Sequence, residues 1–129
     1  SYDAVLSSHN LEHVYHHQVP VYLEGVFYIL KPGGFFEVRV PDILSAIELM
    51  HEKRFDLEDT LYTAACGPIA TLDVIYGYGR EIQSSNQPWY AHKTAFTVHS
   101  LSKHLTRAGF TIDSLNAANL ELVAFAYKP

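Results

Sequence analysis

Ser7-Ser8-His9-Asn10-Leu11-Glu12-His13, read SSHNLEH, is the stretch on which the fold of this chain turns, because it fits two incompatible structures. With Val14-Tyr15-His16-His17 it carries half of the eight histidines. His9 to His13 spells H-x-x-E-H, a zinc-peptidase signature that requires both histidines on one helical face, a glutamate to polarise water and a third ligand. The residues before it decide against that. Asp3 to Ser8 is a short, almost continuous apolar run, which predicts a buried strand. His9 then falls in a strand-to-helix turn, where it cannot share a helical face with His13. No metal site is expected, and His16 and His17 read as histidines on a wet loop.

Downstream, Val19, Tyr22, Leu23, Val26, Phe27 and Leu30 follow the spacing of one helical face. Pro20 is tolerated only in a first turn, so the helix is expected to start near Gln18. Lys31-Pro32-Gly33-Gly34 stops it, since proline cannot continue a helix and glycine permits positive φ. Phe35 to Val40 predicts a second strand ended by Pro41-Asp42. Ile43 to Lys53 predicts a second helix, with Leu44, Ile47, Leu49 and Met50 as its apolar positions. The crossover is long enough for the two strands to pair in parallel.

The middle is less determined. Asp56 to Ala65 reads as a helix, broken at Gly67-Pro68, and Ile69 to Ile75 as either helix or strand. Tyr76-Gly77-Tyr78-Gly79 and Ser84-Ser85-Asn86-Gln87-Pro88 carry loop chemistry. Thr97 is an N-cap candidate for a helix over Val98–Ala108, with Gly109 just past its end. Thr111 to Leu115 and Leu120 to Tyr127 predict two closing strands, joined so closely that only an antiparallel pair is possible.

Composition removes several function classes. The chain has 129 residues, enough for one domain over 1–129 with a single core, and its 48% hydrophobic content is that of a globular protein. Fourteen acidic residues against nine basic ones leave a net charge of -5 and no basic stripe, so nucleic acid is not an expected partner. No apolar run is long enough to span a membrane. The single cysteine, Cys66, can form neither an internal disulfide nor a Cys-based zinc cluster; it reads as a small buried residue, consistent with a reducing, cytoplasmic location.

The segments that resolve the opening ambiguity also carry a resemblance. Tyr2-Asp3-Ala4-Val5-Leu6-Ser7-Ser8-His9-Asn10-Leu11-Glu12-His13-Val14, an amphipathic helix, and Leu30-Lys31-Pro32-Gly33-Gly34-Phe35-Phe36-Glu37-Val38-Arg39-Val40-Pro41-Asp42 together resemble the second half of class I S-adenosylmethionine-dependent methyltransferases, type 11-like. In that family the fourth strand ends in a serine or cysteine before "LEH", and the next helix ends in "LKPGG". His92-Lys93-Thr94-Ala95-Phe96-Thr97, with Leu101, Leu105 and Ala108-Gly109-Phe110, resembles a later family segment. The matches cover roughly half the chain, and their order and spacing are more specific than any one of them. Asn10 departs from the pattern, standing where the family usually has an apolar residue.

The resemblance implies an α/β fold: a partial Rossmann-like methyltransferase sheet made of the family's strands 4, 5, 6 and 7, in the order 4-5-7-6. Its last strand is antiparallel, and helices lie on the faces. It implies S-adenosylmethionine as cofactor and methyl transfer to a small-molecule or carbohydrate-like acceptor. Ser7, Ser8, His9, Leu11 and Glu12 match the family's cofactor rim, and His13 and His92 become the candidate proton acceptors. Plainer readings stand beside these: strand termination for the serines, a favourable charge at a helix start for Glu12, and a backbone-bound loop residue for His92.

The family's Gly-rich turn and the acidic residue that holds the cofactor ribose have no counterpart here. Gly77-Tyr78-Gly79 is not a strand-to-helix turn and does not replace them. The chain is therefore expected to be a carboxyl-terminal part of a methyltransferase, inactive by itself. Residues 43–91 form an acceptor-side insertion with Tyr62, Tyr76, Tyr78, Trp89 and Tyr90 as pocket, lid or subunit seam. An exposed edge on the first strand is expected to drive homo-oligomerisation. The rival expectation, from another class, is a non-catalytic assembly domain on a degenerate methyltransferase fold.

Overall fold

The computed structural model describes all 129 residues, Ser1–Pro129. Its main sheet has the order β1-β2-β6-β5, built from β1 (Tyr2–Ser8), β2 (Leu30–Pro41), β5 (Thr111–Ala118) and β6 (Glu121–Tyr127). β1 and β2 are parallel, with Val5 opposite Phe36 and Ser7 opposite Val38; β6 runs antiparallel to both β2 and β5. This is the 4-5-7-6 arrangement expected from the sequence. The closing hairpin is tighter than expected: strand pairing continues to Ala118, and Asn119 and Leu120 make the turn with φ of 54° and 62°. Positive φ at both central residues matches the twist of the flanking strands.

The crossover from β1 to β2 is α1 (Val19–Ile29), with Pro20 in its first turn. Val19, Leu23 and Val26 are buried on one side of α1, and they meet Leu101 and Leu105 of α5 (Val98–Arg107) over Phe36, Val38, Val40, Leu122, Ala124 and Ala126 of the sheet. Alternation along β2 turns Phe35, Glu37 and Arg39 to the opposite, partly exposed face. α5 begins at a reciprocal cap: Thr97 Oγ1 accepts from Ser100 N at 3.1 Å and Ser100 Oγ accepts from Thr97 N at 3.0 Å. Two glycines are dictated by space. A Cβ on Gly34 would lie 3.0 Å from the Asp3 carbonyl, and one on Gly109, at φ +104°, would lie 3.1 Å from the Phe27 ring.

The segment between β2 and α5 departs from the sequence expectation. Asp56 to Ala65 is not helical; β3 (Thr60–Ala64) pairs with β4 (Gly67–Ala70) as a separate antiparallel hairpin, and α3 (Thr71–Tyr76) follows directly. Gly79–Ser85, whose two ends fall in the stretches expected as loop, forms a short helix, α4, whose first amide donates to Asp73 Oδ1 at 3.0 Å. α2 (Ile43–His51) is capped by Asp42, but Leu44 and Ile47 are about half exposed and only Ala46 is buried. Ala46 joins Ile69 and Val74 in a small second core that braces the hairpin. Cys66, expected to be buried, is exposed beside the hairpin turn. No helix is long and apolar enough to cross a membrane.

Candidate functional site

β1 ends at Ser8 and is followed by His9, whose amide still donates to the Arg39 carbonyl at 2.9 Å and whose φ is +52°. A left-handed non-glycine residue is uncommon, and it swings the chain out of the sheet at the carboxyl end of a parallel strand. A 3₁₀ turn over Leu11–His13 follows. His9 and His13 therefore do not stack on a common helical face, and the peptidase arrangement is not formed.

The cofactor-rim candidates divide by environment. Ser7 is buried, and its Oγ lies 3.0 Å from the Tyr22 hydroxyl, which also accepts from Asn10 Nδ2 at 3.1 Å. Leu11 is fully buried in the main core. Ser8 and His9 stay on the open lip. His9 Nε2 pairs with Glu121 Oε1 at 2.8 Å, and Glu121 in turn faces Arg39, which is bound to Glu37 at 2.9 Å. The His9 pKa is raised, chiefly by Glu12 beside Nδ1, against the lowering effect of burial, with Glu121 adding to the rise. At 3.7 Å the Glu12 contact is ionic and too long for a hydrogen bond.

Glu12 is the least ordinary residue in the molecule. It is 1% exposed, and neither carboxylate oxygen has a hydrogen-bond partner. A buried, unsatisfied charged group is expensive and rare. Its main chain is well held, since the Glu12 carbonyl accepts from Lys93 N at 2.8 Å and from Thr94 N at 3.3 Å. Those bonds bring the 92–94 loop segment alongside, while His92 N donates to the Tyr76 carbonyl at 2.9 Å.

The two candidate proton acceptors meet there. His92 Nε2 is 3.8 Å from Glu12 Oε2, and the His13 and His92 rings form an edge-to-face pair with centroids 5.0 Å apart. His13 Nδ1 lies 2.7 Å from the Trp89 carbonyl; a carbonyl only accepts, so Nδ1 carries the proton and the lone pair of the neutral ring is on Nε2. His92 has a lowered pKa, mainly through burial, with Glu12 opposing and His13 reinforcing that shift; hydrogen bonds with the Ile75 and Val74 backbone also act to raise it. His92 thus lies in a loop whose main chain is bound to Tyr76 and, at the same time, in the cluster. His16 and His17 are exposed; one approaches Thr94 and the other stacks on Tyr15.

A cleft of about 290 Å³ opens beside the cluster, between His9, His92 and Glu121 on one side and Tyr62, Asp73 and Tyr78 on the other. Of the five aromatics expected as pocket, lid or seam, Tyr62 and Tyr78 line it; Tyr76, Trp89 and Tyr90 are exposed outside it. Glu12, His13 and His92 are all named by the sequence, the first on a cofactor rim and the other two as alternative proton acceptors, but nothing in it places the three in one cluster. Sequence reasoning missed Asp73, Glu121 and Arg39, for which the sequence carries no local signal.

No protein-family model and no curated protein matches the sequence. Solved structures do. A methyltransferase from Mesorhizobium loti described as S-adenosylmethionine-dependent is 17% identical with a TM-score of 0.61, over 99% of this chain and 63% of that one. A putative S-adenosylmethionine-dependent methyltransferase from Listeria monocytogenes is 17% identical with a TM-score of 0.57, over 100% and 62%. A Burkholderia thailandensis 1,6-didemethyltoxoflavin-N1-methyltransferase, solved with 1,6-didemethyltoxoflavin and S-adenosylhomocysteine, is 21% identical with a TM-score of 0.54, over 98% and 43%. The chain thus spans about half the length of these structures, and the fold they share with it is the class I methyltransferase fold.

Proposed function

We propose that this chain is the acceptor-side part of an S-adenosylmethionine-dependent methyltransferase, acting on a small-molecule or carbohydrate-like acceptor. The observation that carries the reading is the convergence of Glu12, His13 and His92 beside an open cleft at the carboxyl end of β1. Open α/β sheets bind their ligands at that end.

The residues present fit one side of the cofactor. Ser8 and His9 offer exposed polar groups on the lip, Glu12 lies just behind them, and buried Ser7 and Leu11 fix the lip's shape from below. When bound, the cofactor supplies an electrophilic sulfonium methyl. The chain's own residues do the rest. Tyr62 and Tyr78 offer apolar walls for an acceptor, and residues 43–91 form its acceptor side. His13 and His92 accept the proton of an acceptor hydroxyl or amine, a role suited to imidazole chemistry. The outer edge of β1, with Tyr2 and Leu6 exposed, supports self-association with a second copy.

The test is a titration of the isolated chain with S-adenosylhomocysteine to millimolar concentration, followed by amide NMR. Binding is expected to be feeble but saturable, with shifts concentrated at Ser7, Ser8, His9, Leu11 and Glu12. Unmoved amides there at the highest concentration overturn the reading and leave the fold as an assembly module.

A further inference from the structure

The geometry points to a divalent transition-metal site formed by Glu12, His13 and His92. Each residue offers one ligand atom, and the three atoms lie within 4.8 Å of one another. The independent sign of a missing ligand is the Glu12 side chain: 1% exposed, no partner on either oxygen, and Oε2 3.8 Å from His92 Nε2. A small void of about 10 Å³ borders Glu12, His92 and Thr94 on the side of the cluster away from His13, which does not line it.

The outer contacts are those of metal-binding imidazoles. His13 gives its Nδ1 proton to the Trp89 carbonyl and keeps the Nε2 lone pair free, while the main chain of His92 is held by its amide bond to the Tyr76 carbonyl at 2.9 Å. Ligating histidines almost always anchor their second nitrogen as His13 does. Bond lengths of about 2.0–2.1 Å place tetrahedral ligand atoms about 3.3–3.4 Å apart, so the triangle has only to contract by side-chain rotation.

Two imidazoles and one carboxylate suit zinc, cobalt, iron or manganese better than magnesium or calcium. Three protein ligands also leave a position open for water or for an acceptor oxygen, next to a cleft that His92 already lines. This is not the H-x-x-E-H peptidase arrangement. His9 is engaged by Glu121 at 2.8 Å and stays outside the set, and Glu12 is a ligand instead of a base. The inference concerns binding alone and does not depend on methyl transfer. Were the cation held, His13 and His92 would act on an acceptor through it.

The test uses the chain itself, without cofactor or acceptor. Calorimetric titration with zinc should give one site per chain, and cobalt(II) should develop the intense visible bands of a low-symmetry histidine–carboxylate site. Glu12→Gln, His13→Ala and His92→Ala should each weaken zinc at least about 10–100-fold, the range seen when even an outer contact is lost. His9→Ala should keep the zinc affinity. Circular dichroism checks that each variant folds, and Glu12→Gln remains informative should a histidine variant fail to fold. Zinc binding that is absent, or that survives Glu12→Gln, overturns the proposal; so does binding lost in His9→Ala but not in His92→Ala.

Discussion

Replacing Glu12 by glutamine should leave the metal-free protein as stable as before or more so, although substitutions at fully buried sites usually destabilise by about 0.5–3 kcal/mol. Removing a carboxylate of this size from water carries a penalty of several kcal/mol. The nearest compensating charge is protonated His9, with Nδ1 3.7 Å from Oε2. At an effective dielectric of about 20, a full charge at that distance returns about 4 kcal/mol. The His9 side chain is 50% exposed, so solvent screening cuts this to about 2 kcal/mol or less. The carboxylate is thus left in deficit. A neutral amide of the same shape removes the ionic part and leaves unpaired polar atoms worth about 1–3 kcal/mol. The expected net change is a gain of up to about 2 kcal/mol, worked from these opposing terms.

The assay is urea unfolding of both proteins at pH 7 with a chelator present, followed by circular dichroism and analysed at constant m. Zinc at about 100 times its dissociation constant should then stabilise the native protein by about 2.7 kcal/mol and the glutamine variant hardly at all. A loss of more than about 1 kcal/mol in the chelated variant would refute the reasoning, because it would mean that Glu12 is satisfied by the fold itself.

Other outcomes follow from the same structure. Gly109→Ala places a Cβ 3.1 Å from the Phe27 ring at φ +104°, and should lower stability by about 1–3 kcal/mol in thermal or urea unfolding. Leu23→Ala empties a fully buried position between α1 and the sheet and should cost about 2–5 kcal/mol by the same measurement. His104 has a lowered pKa, through burial first and then through His16, Arg107 and Lys103. Its neutral form is favoured on folding, so the unfolded chain takes the extra proton. That contribution is intact above the ordinary value of 6.5 and is lost as pH falls through it toward the lower folded value. His104→Gln should flatten the acid side of the stability–pH curve accordingly. Sedimentation should show a concentration-dependent dimer that Leu6→Lys on the exposed β1 edge weakens; a monomer at all concentrations would contradict self-association.

Where local pattern and tertiary packing agree, the fold is legible in the residues. Val19, Leu23 and Val26 repeat at helical spacing because that face lies on the sheet, and Thr97 reads as a cap because its side chain serves as one. The β3–β4 hairpin is not legible: Thr60 to Ala64 lacks alternation, and the hairpin is braced by Ala46 and Val74, brought from outside it. Nor is α4, which opens on glycine, ends in two serines and starts against Asp73, six residues earlier. Cys66 is exposed because it sits at that hairpin's turn. At the site, the lip is readable from SSHNLEH and the end of a parallel strand. The cluster is not, since His13 and His92 are far apart in the chain and meet through long-range bonds, among them those from the Lys93 and Thr94 amides to the Glu12 carbonyl and from His13 to the Trp89 carbonyl.

A ligand-facing surface at the carboxyl end of β1 is the central claim. Ultraviolet cross-linking with methyl-labelled S-adenosylmethionine, mapped by tandem mass spectrometry, tests that most directly. Label concentrated between Ser7 and Glu12, and suppressed by excess S-adenosylhomocysteine, is the expected result. Label confined to α5 or to residues 43–91, or insensitive to the competitor, would contradict it.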